Sequence, residues 1–220
     1  MDRRWFKRVS TDLCPRLLEF AGKPITYVEI GCWEGASALW TAQNILTHKD
    51  SLGFGIDPYT VPRRHSNGTM DGHKKVAVDA LKPFKNWTWI HKPSNQVLRR
   101  WRRPIDLLYI DGRHEAAWAL ADFILAWPYL TIGAGVIFDD YRIGIRKNFP
   151  HVPEAVESVL TSFDGLVEPW GEPNKQFYLK KIADCDGNAW TTKFKGEGRL
   201  DKSRFYATVP ALQSLAEVPA

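Results

Sequence analysis

The chain has 220 residues, 44% of them hydrophobic and 13% aromatic, with 30 Lys plus Arg against 25 Asp plus Glu for a net charge of +5. This composition suits one soluble domain with a sizeable core, excludes disorder as the main theme, and contains nothing near the ~18 unbroken apolar residues of a membrane span. The start, Met1-Asp2-Arg3-Arg4-Trp5-Phe6-Lys7-Arg8, lacks the apolar region of a secretory signal, so the cytoplasm is the expected compartment. Cys14, Cys32 and Cys185 lack the paired spacing of a zinc site and are odd in number, so plain thiols are expected.

Short β-rich apolar runs alternate with helical stretches, which predicts an α/β fold: a Rossmann-like, doubly wound, mostly parallel sheet. An N-terminal segment carries Trp5, Phe6, Val9, Leu13 and Leu17 among basic residues. Such a face packs most often on its own domain, with a second subunit of a homo-oligomer or a membrane surface as the other outlets. The first strand is Ile25–Ile30, and a helix follows from about Gly35 to Thr47. Gly53–Ile56 makes the second strand, ending at Asp57-Pro58. A polar loop then runs from Tyr59 to Asp71, and a helix from about Gly72 to Leu81. Trp87–His91, Ile105–Ile110 and Ala134–Phe138 are the third, fourth and fifth strands. The helix joining the last two, Ala116–Trp127, presents Ala117, Leu120, Ala121, Ile124 and Leu125 as its expected buried face. Pro153 opens a helix to about Thr161, and Leu166-Val167 with Gln176–Lys180 read as a closing antiparallel pair. The domain is therefore expected to span residues 1–182, with 183–220 an extension of no assigned role.

Ligands of an open parallel sheet bind beyond the carboxyl ends of its strands, where the strand order reverses. Gly31-Cys32-Trp33-Glu34-Gly35 lies between a strand and a helix, so its backbone can approach a ligand and the helix start can receive an anionic group, with Ser37 in the first turn. The spacing is not the G-x-G-x-x-G of dinucleotide sites. Asp57, at the end of the second strand, is placed to accept from both hydroxyls of a ribose. Together these residues suggest a nucleoside-bearing cofactor.

Four blocks in order, Val28-Glu29-Ile30-Gly31-Cys32-Trp33-Glu34-Gly35-Ala36-Ser37, Gly55-Ile56-Asp57-Pro58, Ile105–His114 and Gly135–Tyr141, resemble class I S-adenosylmethionine-dependent methyltransferases. The likeness covers roughly residues 25–182. Its nearest branch is the metal-dependent O-methyltransferases, which include catechol-type enzymes and those acting on macrolide and aminocoumarin sugars. The resemblance implies that Glu29, Gly31, Trp33 and Gly35 shape the methionine pocket, with Ser37 near its carboxylate. It further implies that Asp57 holds the ribose and that Ser94-Asn95 contact adenine, although Ser and Asn at a strand exit are also ordinary turn residues.

At the chemical end, Asp111 closes the fourth strand and Asp139-Asp140 the fifth. On neighbouring strands about 4.8 Å apart these acids converge and repel, and an all-oxygen set suits Mg²⁺. Such an ion would acidify and aim the acceptor hydroxyl of a small molecule for in-line methyl transfer. His114 is the expected catalytic base beside Asp111, because neutral imidazole persists near pH 7. Many relatives that modify sugars read Asp-Gly-Asp-His where this chain reads Asp111-Gly112-Arg113-His114, and a guanidinium cannot act as base. Two other readings stand beside O-methylation. One is methylation of nucleic acid, prompted by Arg99-Arg100-Trp101-Arg102-Arg103, although a run entering the fourth strand belongs at the opposite rim. The other is S-adenosylmethionine binding without catalysis.

Overall fold

Short apolar runs with side chains alternating about the backbone are stable only when both sheet faces are covered. The computed structural model shows that arrangement, and it describes residues 6, 10, 13, 15–60, 69–141 and 151–184. Seven strands form one sheet: β1 (Thr26–Ile30), β2 (Leu52–Ile56), β3 (Trp87–Ile90), β4 (Ile105–Ile110), β5 (Leu130–Phe138), β6 (Val167–Pro169) and β7 (Phe177–Lys181). Their order is β3-β2-β1-β4-β5-β7-β6. The first five run parallel, and β7 is antiparallel to both β5 and β6. The order reverses between β1 and β4, which puts the expected binding crevice at their carboxyl ends.

The helices are α1 (Ala36–Asn44), α2 (Met70–Leu81), α3 (Ser94–Leu98), α4 (Ala116–Ala126) and α5 (Val152–Ser162). Alternation divides the core in two. Val28, Leu108 and Val136 meet Phe123, Val156 and Val159 from α4 and α5 on one face. Tyr27, Leu107, Tyr109 and Ile137 meet Leu39 of α1 and Leu81 of α2 on the other. Phe6, Leu13, Leu17 and Phe20 join that second cluster, so these apolar positions pack on their own domain, while Trp5 and Val9 lie outside the described residues. No helix among the described residues is long and apolar enough to cross a membrane.

Two expectations need correction. The fifth strand starts at Leu130, because Ile105 already pairs with Leu130; the register then shifts, and Gly133 at φ 88° carries the irregularity that reads as a loop. Helix α4 buries Ala119, Asp122, Phe123 and Ala126, while Ile124 is 48% exposed. Its sequence is apolar on nearly every side, so period alone does not select the face, and the one acid goes inward because the Ser94 side chain bonds it. Ser94 and Asn95, expected to contact adenine, begin helix α3 just past β3. Cys32 is a buried free thiol; Cys14, Cys185, residues 61–68 of the polar loop and the extension from 185 onward lie outside the described residues.

Candidate functional site

The turn after β1 is shaped by backbone that few side chains tolerate. Gly31, Trp33 and Gly35 have φ values of 84°, 45° and 74°. A Cβ on Gly31 would lie 2.0 Å from the Asp111 carbonyl oxygen and 2.7 Å from the Gly112 Cα. Glycine is therefore required there so that the exits of β1 and β4 can touch, a reason distinct from the expected approach to a ligand. Gly35 caps α1 without any side-chain hydrogen bond, leaving the helix start suited to an anionic group.

The side chains around this turn are tied to one another. Asp57 Oδ2 accepts from the backbone N–H groups of Cys32 and Trp33, both at 3.0 Å, and Oδ1 accepts from that of Tyr59 at 2.8 Å. A carboxylate offers about four acceptor sites, so the acid expected to hold a ribose has roughly one left for it. Tyr59 adds a second tie, donating its hydroxyl to the Trp33 carbonyl at 2.7 Å. Glu29 is wholly buried, accepts from the Tyr27 hydroxyl and from Ser37 Oγ at 2.6 Å each, and is pushed up to about 7 by burial. The Ser37 hydroxyl, expected beside a carboxylate of the cofactor, is thus donated to Glu29. At the exit of β3, Ser94 bonds Asp122, whose carboxyl burial raises to about 6. The Asn95 Oδ1 atom is buried with no hydrogen-bond partner. An orphaned acceptor of this kind fits an adenine amino group.

Beyond β4 and β5, ligand atoms of Asp111, His114 and Asp140 all lie within 4.8 Å of one another. His114 Nδ1 contacts Asp140 Oδ2, and Nε2 is 3.8 Å from Asp111 Oδ1. Asp139, expected among the metal ligands, instead turns into the sheet. Its Oδ2 accepts from the Tyr109 hydroxyl at 2.8 Å and its Oδ1 from the Asp140 N–H at 2.9 Å, and burial raises its pKa. Arg113 also points away, bonding Glu115 at 2.9 and 3.2 Å with its guanidinium 5.0 Å from the Trp118 ring. Trp170 packs edge-on against Phe20 at 5.7 Å and over Gly135, away from the strand ends.

Sequence reasoning missed several neighbours. His73 on α2 contacts Glu34 at 2.9 Å and lies 5.2 Å from the Trp33 ring, a link across 39 positions that no local pattern announces. Asp122 was hidden by its apolar helix. The bond from Gln176 Nε2 to the Tyr109 hydroxyl, at 2.8 Å, needed the antiparallel strand in place.

A reversed-order parallel sheet with a glycine turn at its switch point is the setting in which nucleoside-bearing cofactors bind. The chain belongs to the class I S-adenosylmethionine-dependent methyltransferases: residues 28–141, just over half of it, match the family described as "Methyltransferase domain". It is 30% identical over 153 residues, covering 69% of the chain, to an uncharacterized protein, R132, of Acanthamoeba polyphaga mimivirus, and the match spans 66% of that relative. Among solved structures it is similar to an O-methyltransferase from Bacillus cereus in complex with SAH, with a TM-score of 0.58, 15% identity and coverage of 80% and 81% of the two chains. A putative rRNA-methylase from Clostridium thermocellum has a TM-score of 0.57 at 14% identity, with coverage of 84% and 98%. These two likenesses are of fold.

Proposed function

We propose that this methyltransferase acts on a hydroxyl of a small molecule, with a divalent cation at the rim of β4 and β5. The observation that carries the reading is the convergence of Asp111, His114 and Asp140 beside the cofactor turn. The residues fit S-adenosylmethionine: the start of α1, which no side chain caps, suits its carboxylate, the remaining acceptor site of Asp57 its ribose, and the orphaned Asn95 oxygen its adenine. Glu29, Gly31, Trp33, Gly35 and Ser37 build the turn and its foundation and need not touch the cofactor through their side chains.

The reaction is an in-line displacement. The acceptor oxygen forms a bond to the methyl carbon, the carbon–sulfur bond breaks, and its electron pair returns to sulfur, leaving the neutral thioether. The acceptor must arrive as an alkoxide or phenolate, or lose its proton on the way. A bound cation would supply a lowered hydroxyl pKa and a fixed direction. Asp111 and Asp140 would hold that ion, and Mg²⁺ is the conventional occupant of a carboxylate set. The imidazole of His114 can do one of two jobs there, receiving the proton or ligating the ion.

The nucleic-acid alternative gains nothing from the basic run: Trp101 is buried edge-on against Phe54 at 4.9 Å, and Arg102 bonds the Tyr129 hydroxyl. The test is thermal unfolding with S-adenosylhomocysteine, with and without divalent cation, followed by a screen of hydroxyl acceptors. Ligand at 100-fold excess over Kd stabilises by about 2.7 kcal/mol, enough to read clearly. A shift with methylation of a small hydroxyl compound supports the reading. A shift with transfer only to RNA would replace it, and a shift with no transfer to any acceptor favours cofactor binding without catalysis.

A further inference from the structure

We infer that the cation at this rim is ligated by Asp111, Asp140 and the imidazole of His114, with Asp139 excluded, and that it is a first-row divalent ion such as Mn²⁺ in preference to Mg²⁺. The inference rests on the methyl-transfer reading for the purpose of the site, and on the side chains below for its composition.

The first argument is the placement of the histidine ring. A general base needs one ring nitrogen turned toward the acceptor. Here Nδ1 contacts Asp140 Oδ2 while Nε2 faces Asp111 Oδ1 at 3.8 Å, so both nitrogens are directed into the acid pair. The three ligand atoms lie within 4.8 Å of one another. Ligands of one octahedral ion at about 2.1 Å are separated by roughly 3–4.2 Å, so small rotations bring this set onto a common centre.

The second argument is independent of the first and concerns Asp139. Its carboxylate is 5% exposed as part of a residue that accepts from Tyr109 and from the Asp140 N–H. Tyr109 in turn accepts from Gln176, and Gln176 Oε1 accepts from the Tyr178 hydroxyl at 2.7 Å. Rotating Asp139 out to an ion would strand the Tyr109 hydroxyl in the interior. Arg113 adds no oxygen, since it is an arginine bound to Glu115. The oxygen set available among these residues is therefore Asp111 and Asp140, and the third donor is nitrogen. Imidazole suits first-row transition ions such as Fe²⁺ and Zn²⁺, whereas Mg²⁺ takes oxygen; Mn²⁺, a first-row ion that also favours carboxylates, suits a set of two carboxylates and one nitrogen.

The test uses the full chain, freed of metal, titrated with Mn²⁺ while the free ion is read by electron paramagnetic resonance, then back-titrated with Mg²⁺. Displacement is expected only at about tenfold or greater excess of Mg²⁺. Pulsed measurements on bound Mn²⁺ should show nitrogen modulation that vanishes in His114→Ala. That variant should also bind Mn²⁺ about tenfold or more weakly, and Asp139→Asn should stay within about threefold of the parent. Unchanged Mn²⁺ affinity in His114→Ala, loss of it in Asp139→Asn, or equal competition by Mg²⁺ would each overturn the inference. Folding of every variant is checked by its thermal shift with S-adenosylhomocysteine. A parent protein that binds this ligand but no Mn²⁺ defeats the inference and leaves methyl transfer standing; one that fails to bind it defeats the methyl-transfer reading.

Discussion

The two halves of the crevice are built on opposite principles. At the β1–β2 end, Asp57 is spent on three backbone N–H groups, Glu29 on Tyr27 and Ser37, and Tyr59 on the Trp33 carbonyl. At the β4–β5 rim, His114 and Asp140 reach each other and stand partly exposed beside Asp111. The first region is scaffolding whose polar groups are satisfied by the fold. The second concentrates negative charge that the fold only partly compensates, which is what a cation site requires. The difference teaches that the conspicuous acid of the cofactor half works mainly on the protein itself.

If that contrast holds, damage to the cofactor half should fall on stability and damage to the rim on cation binding. The largest expected effect is Gly31→Ala, which drives a Cβ to 2.0 Å from the Asp111 carbonyl at a φ of 84°. Its cost should exceed about 4 kcal/mol, seen as a collapse of the thermal midpoint or loss of soluble protein. Next comes Phe123→Ala, at 0% exposure in the core between α4 and the sheet, where about 3–5 kcal/mol is expected from denaturant unfolding. This sets the scale for a purely apolar loss. Asp57→Ala leaves the turn amides of Cys32 and Trp33 without their acceptor and should cost about 1–3 kcal/mol. Equal stability with weaker S-adenosylhomocysteine binding would instead make Asp57 a ligand residue first.

Asp122 sharpens the comparison by pH. Its carboxyl goes from 3.8 to about 6 on folding, so the folded state holds its proton more tightly than the unfolded chain. The stability this provides is full below pH 4 and is lost as pH rises through about 6, by up to ~3 kcal/mol. Asp122→Asn keeps an oxygen for Ser94 and should flatten the stability profile between pH 4 and 7, measured by unfolding at each pH. The smallest effect belongs to Arg113→Ala. Its pairing with Glu115 is exposed, so stability should change by less than about 1 kcal/mol.

Much of the scaffold was legible in the chain. β1, β2 and β4 were found to within a residue because short apolar runs ended by Gly31, Asp57 and Asp111 leave little freedom. The rim acids were legible as a group, but their division was not. Asp139 and Asp140 are adjacent, and Asp140 adopts φ 56°, which breaks the simple alternation that would assign one to each side. Lys181 was equally opaque: a lysine at a strand end reads as solvated, yet it is 2% exposed with Nζ donating to the Leu130 carbonyl at 2.7 Å and lying 4.4 Å from the Trp127 ring. The face of α4 failed because Ala, Leu, Ile and Phe occupy so much of its circumference, and only the contact with Ser94 reveals why Asp122 is inside.

The close passage of Gly31 over Asp111 carries one more consequence. Gly31 donates to the Ile56 carbonyl, Asp111 to that of Ile30, and Asp139 to that of Ile110, so successive strand exits are stitched in a row from β2 to β5. With no room for even a methyl group between the first and second stitches, the turn and the rim acid cannot shift separately. Were binding at one end to move this shared unit, thermodynamic reciprocity would make the effect on the other end equal in both directions. Divalent cation should tighten S-adenosylhomocysteine by the same factor by which that ligand tightens the cation.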